Sequence, residues 1–96
     1  MKKDYDKKEF IRALSYVKRS SNRRDVVNII NKSLLMPSEI AKTMNLRVNQ
    51  ISAVLSDLKK ENIVICINEH EKIGRLYELT PLGLEIYYYL KEIEQE

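Results

Sequence analysis

Apolar residues recur at helical spacing through most of the chain, and one short continuous apolar run breaks that rhythm near residue 65. Phe10, Leu14 and Val17 form one stripe, the pattern of a helix that buries one face. Asp6 and Glu9 have the spacing of a capping box, with Asp in place of the usual Ser or Thr, so a first helix is predicted over 6–19. Ser20-Ser21-Asn22 interrupts it and offers a new N-cap. The second helix turns Val26, Ile29 and Ile30 inward and fades near Asn31 to Ser33. Leu34-Leu35-Met36 is too short for a helix and suits a small strand.

From Ser38 to Leu58 the pattern becomes two short helices around a tight turn. Pro37 suits the first helical position, where its missing N–H costs nothing. Ile40, Ala41 and Met44 face inward, Asn45 can take the left-handed conformation that ends a helix, and Leu46 fills the turn. The next helix runs from about Val48 to Glu61, with Ile51, Leu55 and Leu58 as its buried stripe, and Asn62 stops it. Ile63 to Ile67 reads as an apolar strand, Asn68 to Lys72 as a polar tip, and Gly74 to Thr80 as a returning strand. Thr80-Pro81 supplies an N-cap and a first-turn proline for a last helix over 81–95, which carries Leu82, Ile86, Tyr89 or Leu90, and Ile93 at helical spacing.

The element order is therefore α-α-β-α-α-β-β-α. A helix-turn-helix followed by a β-hairpin is a winged helix. The expected fold is mainly α with a small antiparallel β-hairpin: a winged helix-turn-helix with an extra N-terminal and C-terminal helix. One domain over 1–96 is expected, with the helix-turn-helix at 37–61 and the wing at 63–80.

The run from Tyr16 to Leu90 resembles the small archaeal winged-helix transcriptional regulators, within the arsenic-repressor-like and multiple-antibiotic-resistance-repressor-like group. The matching pieces are Tyr16 to Arg23 (YVKRSSNR), Pro37 to Ala41 (PSEIA), Ile51 to Leu58 (ISAVLSDL) and Gly74 to Gly83 (GRLYELTPLG). Each piece is mostly helix punctuation and core pattern; their order and spacing carry the resemblance. It implies a DNA-binding regulator of transcription. Two positions depart from the family pattern. Met36 stands where Thr or Ser commonly precedes the proline, and Arg47 stands where Ser or Thr commonly precedes the recognition helix. Neither side chain can cap a helix N-terminus by accepting a hydrogen bond.

Charge sharpens the picture. The net charge is only +3, but residues 1–32 hold ten Lys or Arg against four Asp or Glu, whereas residues 62–96 hold three against seven. A basic half and an acidic half suit a molecule that faces phosphates on one side, although ordinary solvated helix faces produce the same pattern.

A helix that reads base edges needs a polar face of short or hydrogen-bonding side chains. Opposite the Ile51 stripe lie Asn49, Ser52, Ala53 and Ser56, with Val48 and Gln50 at the margins. Asn and Gln bond adenine in a bidentate way, and Val and Ala touch a thymine methyl. Arg47 is the only arginine near this face, which points to A·T-rich duplex DNA. Ser38, Lys42 and Thr43 on the preceding helix are candidates for phosphate contacts. In the wing, Lys72 and Arg75 can enter a narrow minor groove or meet phosphate. Glu69 and Glu71 oppose this, and for Arg75 an ion pair with Glu78 is the structural alternative.

Other chemistry is sparsely provided. His70 is the only histidine and Cys66 the only cysteine, too few for a metal site that needs three or four ligands. No catalytic triad, paired carboxylates or glycine-rich phosphate loop is present, so neither an enzyme nor a cofactor is expected. With no apolar run of about 18 residues, no signal-peptide core and no second cysteine, a cytoplasmic protein without a membrane partner is expected.

Tyr87-Tyr88-Tyr89 puts more aromatic surface on the last helix than one face can bury. Either one ring is core and two are on the surface, or the surplus forms an interface, where tyrosine is favoured. Tyr5, Ile11 and Tyr16 are likewise off the Phe10 stripe. A homodimer is therefore expected through Tyr5, Ile11, Tyr16, Tyr87 and Tyr88. The alternative to a dimeric DNA-binding regulator is a winged-helix protein–protein interaction module with little DNA affinity.

Overall fold

The computed structural model describes residues 5–95, which leaves the charged Lys2, Lys3 and Asp4 outside. Helices α1 (Lys7–Lys18), α2 (Ser21–Ile30), α3 (Pro37–Met44) and α4 (Val48–Lys60) are followed by strands β1 (Val64–Cys66) and β2 (Tyr77–Leu79) and by helix α5 (Pro81–Gln95).

Local chemistry accounts for most boundaries. The Asp6 carboxylate accepts the Glu9 backbone N–H at 2.8 Å and starts α1. The Ser20 hydroxyl accepts the Arg23 N–H at 3.3 Å and starts α2. Asn45 ends α3 in the left-handed conformation (φ 56, ψ 43), and Asn62 does the same after α4 with φ 61. Asparagine tolerates this region better than other L-residues because its short side chain hydrogen-bonds locally. Between them the Leu46 N–H donates to the Ala41 carbonyl at 2.9 Å, closing the turn.

Helices α3 and α4 begin without a side-chain cap from Met36 or Arg47. The third helical residue compensates in each case by reaching back. Glu39 Oε1 accepts the Met36 N–H at 2.8 Å, and Gln50 Oε1 accepts the Arg47 N–H at 3.0 Å. Half of a capping box is thus formed at both ends.

The sheet is smaller than the sequence pattern suggests. Strands β1 and β2 are antiparallel, with Val64 opposite Leu79, Ile65 opposite Glu78 and Cys66 opposite Tyr77. The expected third strand is a single bridge: Leu35 and Tyr77 exchange backbone hydrogen bonds of 3.0 and 2.9 Å. Beyond Cys66 one further backbone bond, from the Ile67 N–H to the Leu76 carbonyl at 3.0 Å, continues the pairing before side chains take over at the tip.

One core joins all five helices and the sheet, with Val17, Val26, Val27, Ile30, Ile40, Ile51, Leu55, Leu58, Ile63, Leu82 and Ile86 fully buried. The α4 stripe matches its expected residues. On α1 the centre of burial is Ala13 and Val17, with Phe10 and Leu14 packed at its edge. On α5 the core position is Leu90 rather than Tyr89, and Ile93 is exposed. Helix α1 lies against α5, with Phe10 and Tyr89 edge to face at 6.1 Å.

Candidate nucleic-acid interface

Thr80 ties α5 to the end of α4 and the start of the wing. Its hydroxyl donates to the Asn62 carbonyl at 2.7 Å and accepts the Gly83 N–H at 3.0 Å, and its own N–H donates to the Ile63 carbonyl at 3.0 Å. Gly83 is required next to it, because a Cβ there would collide with the Ile63 carbonyl oxygen. The wing is therefore anchored at its base to both α4 and α5.

The wing tip is organised by two side chains. Asn68 Oδ1 accepts the Leu76 N–H at 2.8 Å, while its Nδ2 donates to the Gly74 carbonyl at 3.1 Å. The Arg75 guanidinium donates from Nε to the Glu71 carbonyl at 2.7 Å and from Nη2 to the Glu69 carbonyl at 3.1 Å. Neither the Glu78 ion pair weighed for Arg75 nor a freely extended side chain is observed; its planar fork clamps the tip backbone. Gly74, at φ 75, supplies the left-handed residue that the turn requires.

Between the wing and α4 runs an open groove of about 490 Å³, lined by Ser38, Val48, Ser52, Ser56, Lys59, Lys72 and Arg75 among others. No carboxylate lines it. Helix α3 contributes its first turn, α4 its outward face and the wing its returning arm, so six residues expected from separate elements meet on one side. Lys59 was not anticipated from the sequence. It pairs with Glu69 at the wing tip, and His70 lies 3.4 Å from Glu71. These contacts place the Lys59 ammonium beside Glu69 and the His70 imidazole beside Glu71.

The remaining expected contact residues lie on exposed surface outside the groove lining: Lys42, Thr43, Arg47, Asn49, Gln50 and Ala53. Thr43 donates to the Glu39 carbonyl at 3.0 Å. The Gln50 carbonyl oxygen is engaged at the helix start, which leaves its amide NH₂ as the group turned to other partners.

Two arginines in the first turn of α2, Arg23 and Arg24, have a structural task. Arg23 lies over the Tyr16 ring at 3.6 Å and donates to the Tyr16 carbonyl at 2.8 Å, and Arg24 donates to the Lys18 carbonyl. Cations at a helix C-terminus satisfy its unpaired carbonyls and oppose its dipole.

The residues expected between copies divide. Tyr5 is half-buried and bonded to Glu85 of its own chain, and Tyr16 lies under Arg23. Tyr87 is only 9% exposed and belongs to the core of its own chain. Its position on α5 puts it on the Leu90 side rather than the Tyr89 side. Ile11 and Tyr88 are exposed, at 54% and 46%, and so are Tyr89 and Ile93. Lys32 approaches the Tyr88 ring at 5.5 Å, and a hydrogen bond with Tyr88 raises its ammonium above the ordinary lysine range.

Among the described residues no group of three or more His, Cys, Asp or Glu side chains could hold a metal ion, and no helix is long and apolar enough to cross a membrane.

This architecture is the winged helix-turn-helix. No protein-family model and no curated protein matches the chain, but solved structures do. HlyU from Vibrio cholerae superposes with a TM-score of 0.76 at 14% identity, over 96% of this chain and 100% of that one. MepR from S. aureus, in a complex with DNA, gives 0.71 at 15% identity over 93% and 75%. A homodimeric winged helix-turn-helix DNA-binding domain from Mycobacterium bovis gives 0.72 at 14% identity over 100% and 92%. At these identities the shared property is the fold. Nothing in the three bears on the archaeal part of the resemblance read from the sequence.

Proposed function

We propose that this protein is a homodimeric, non-enzymatic DNA-binding regulator of transcription that works in the cytoplasm. Helix α4 enters the major groove, and the wing meets the flanking backbone or minor groove. The observation that carries this reading is the groove between α4 and the wing, with Lys59, Lys72 and Arg75 along it and no carboxylate. A duplex is a rod of regularly spaced negative charge, and a protein that neutralises its phosphates needs cations on the surfaces flanking the reading helix. The DNA complex of MepR and the homodimeric domain from Mycobacterium bovis support the same reading. Asn49, Ser52, Ala53 and Ser56 are the base-reading residues, with Val48 and Gln50 beside them. Ser38, Lys42, Thr43, Arg47, Lys72 and Arg75 position the duplex. Two copies join through the exposed α1–α5 surface that carries Ile11 and Tyr88, with Tyr89 and Ile93 added.

One observation favours the protein-interaction alternative. Ile65 and Ile67 are exposed on the wing, on the face away from Tyr77 and the groove. Titration of random duplex DNA at several salt concentrations separates the two. The regulator reading requires log affinity to fall linearly with log salt; no measurable binding at low salt refutes it.

A further inference from the structure

Ile73, at the tip of the wing, is 90% exposed, more than any other large apolar residue described in the chain. An isoleucine in water forgoes the stabilisation that burial of its side chain would provide. Its surroundings hold it there. Asn68 and Arg75 fix the loop on both sides through four hydrogen bonds, and Gly74 makes the left-handed turn immediately after it. Lys72 precedes it and lines the groove toward α4. The arginine nearest the tip is bound to the tip's own carbonyls, whereas Ile73 stands out into solvent.

We infer that Ile73 is an apolar wedge that the wing inserts into the minor groove of bound DNA, with Lys72 beside it on the phosphates. This rests on the DNA-binding reading above. The occupant follows from continuity: Ile73 adjoins the cation-lined groove, and a duplex engaging α4 extends past the wing. An aliphatic side chain in the minor groove unstacks a base step and kinks the duplex, at least cost where the step is flexible. The preferred ligand is therefore A·T-rich DNA with a pyrimidine–purine step, TA above all, in the segment under the wing. Minor-groove insertion is further opposed by the guanine amino group, which G·C pairs place on the groove floor.

The test uses the intact chain and a duplex selected from a random pool. It compares the parent with Ile73→Ala and Ile73→Lys, on flanks built from A·T, inosine·cytosine or G·C pairs. Inosine lacks the minor-groove amino group, so inosine·cytosine presents the floor of an A·T pair with a different major-groove edge. The parent is expected to bind the A·T and inosine·cytosine flanks alike and the G·C flank less tightly. Ile73→Ala is expected to lose about tenfold in affinity, the worth of roughly two buried methylenes, and to lose this flank preference. Energy transfer between dyes at the two ends of the A·T-flanked duplex is expected to rise with the parent, reporting the kink, and to stay unchanged with Ile73→Ala. Ile73→Lys is expected to recover affinity at low salt with a steeper salt slope and no rise in energy transfer. If the parent binds while Ile73→Ala matches it on every flank, the wedge is refuted and the DNA-binding reading stands. If Ile73→Ala changes the oligomeric state instead, the residue is a protein contact and the wedge is refuted. If the parent binds no duplex at low salt, both fail together.

Discussion

Lys59, in the last turn of α4, pairs with Glu69 at the tip of the wing. Helix α4 and the wing are thus joined at the far end of the groove by residues that share no local sequence signal. Both side chains are about half exposed, so the pair contributes only about 0–1 kcal/mol to stability. Its larger effect is electrostatic, because it partly neutralises a carboxylate at the end of a groove lined by cations. Glu69→Gln is expected to raise DNA affinity and Lys59→Ala to lower it, the latter with a salt slope smaller by about one unit. Both proteins should melt within a few degrees of the parent. Titrations at two salt concentrations check this; equal affinities for all three proteins would remove the groove from the interface.

Arg75 positions the wing through the Glu69 and Glu71 carbonyls. A lysine keeps the charge but lacks the fork that bridges two acceptors. Arg75→Lys is therefore expected to loosen the tip nearly as much as Arg75→Ala, seen as faster amide exchange at Leu76 and neighbouring residues. An arginine acting only as a free phosphate contact would instead be rescued by lysine in both exchange and DNA affinity.

Asn49 is exposed on the outward face of α4 and outside the core stripe. Asn49→Ala is expected to reduce discrimination between a selected operator and a scrambled duplex by about 1–3 kcal/mol, the worth of one bidentate base contact. Helicity should be unchanged. Competition titration reads the difference, and an unaltered ratio would show that Asn49 reads no base.

Thr80 and Gly83 hold the wing base against α5. Thr80→Val removes a buried hydroxyl and leaves the Asn62 carbonyl and the Gly83 N–H short of a partner, for an expected loss of about 1–3 kcal/mol. Gly83→Ala should cost more, because the added methyl meets backbone rather than a movable side chain. Urea unfolding with unchanged slope is the measurement.

Ile11, Tyr88, Tyr89 and Ile93 leave apolar surface exposed on α1 and α5. Tyr88→Glu combined with Ile93→Glu is expected to convert a dimer to a monomer without unfolding it, since neither residue is in the core. Sedimentation velocity checks the mass, and a parent that is already monomeric at high micromolar concentration would refute the dimer.

The boundaries of this fold were legible in the sequence because their causes are local. Asp6, Ser20, Pro37, Asn45, Asn62 and Thr80 act within about one turn of the backbone, and helical spacing alone placed Ile51, Leu55 and Leu58 inside. The reach of Glu39 and Gln50 back to the uncapped helix starts was not read from the sequence and emerged only in the structure. The tertiary structure decided what depends on distant neighbours. Three consecutive tyrosines have no intrinsic order of burial; the packing of α5 on α1, α2 and β2 leaves Tyr87 in the core and Tyr88 and Tyr89 outside. Arg75, a phosphate contact by composition, became a clamp because the hairpin curls its own carbonyls within hydrogen-bond reach. Lys59 and Lys72 came to line one groove only because the turn at Asn62 and the anchor at Thr80 fold the wing back along α4. Periodicity specifies which way a side chain faces on its own element, whereas the partner it meets is set by the packing of elements far apart in the chain.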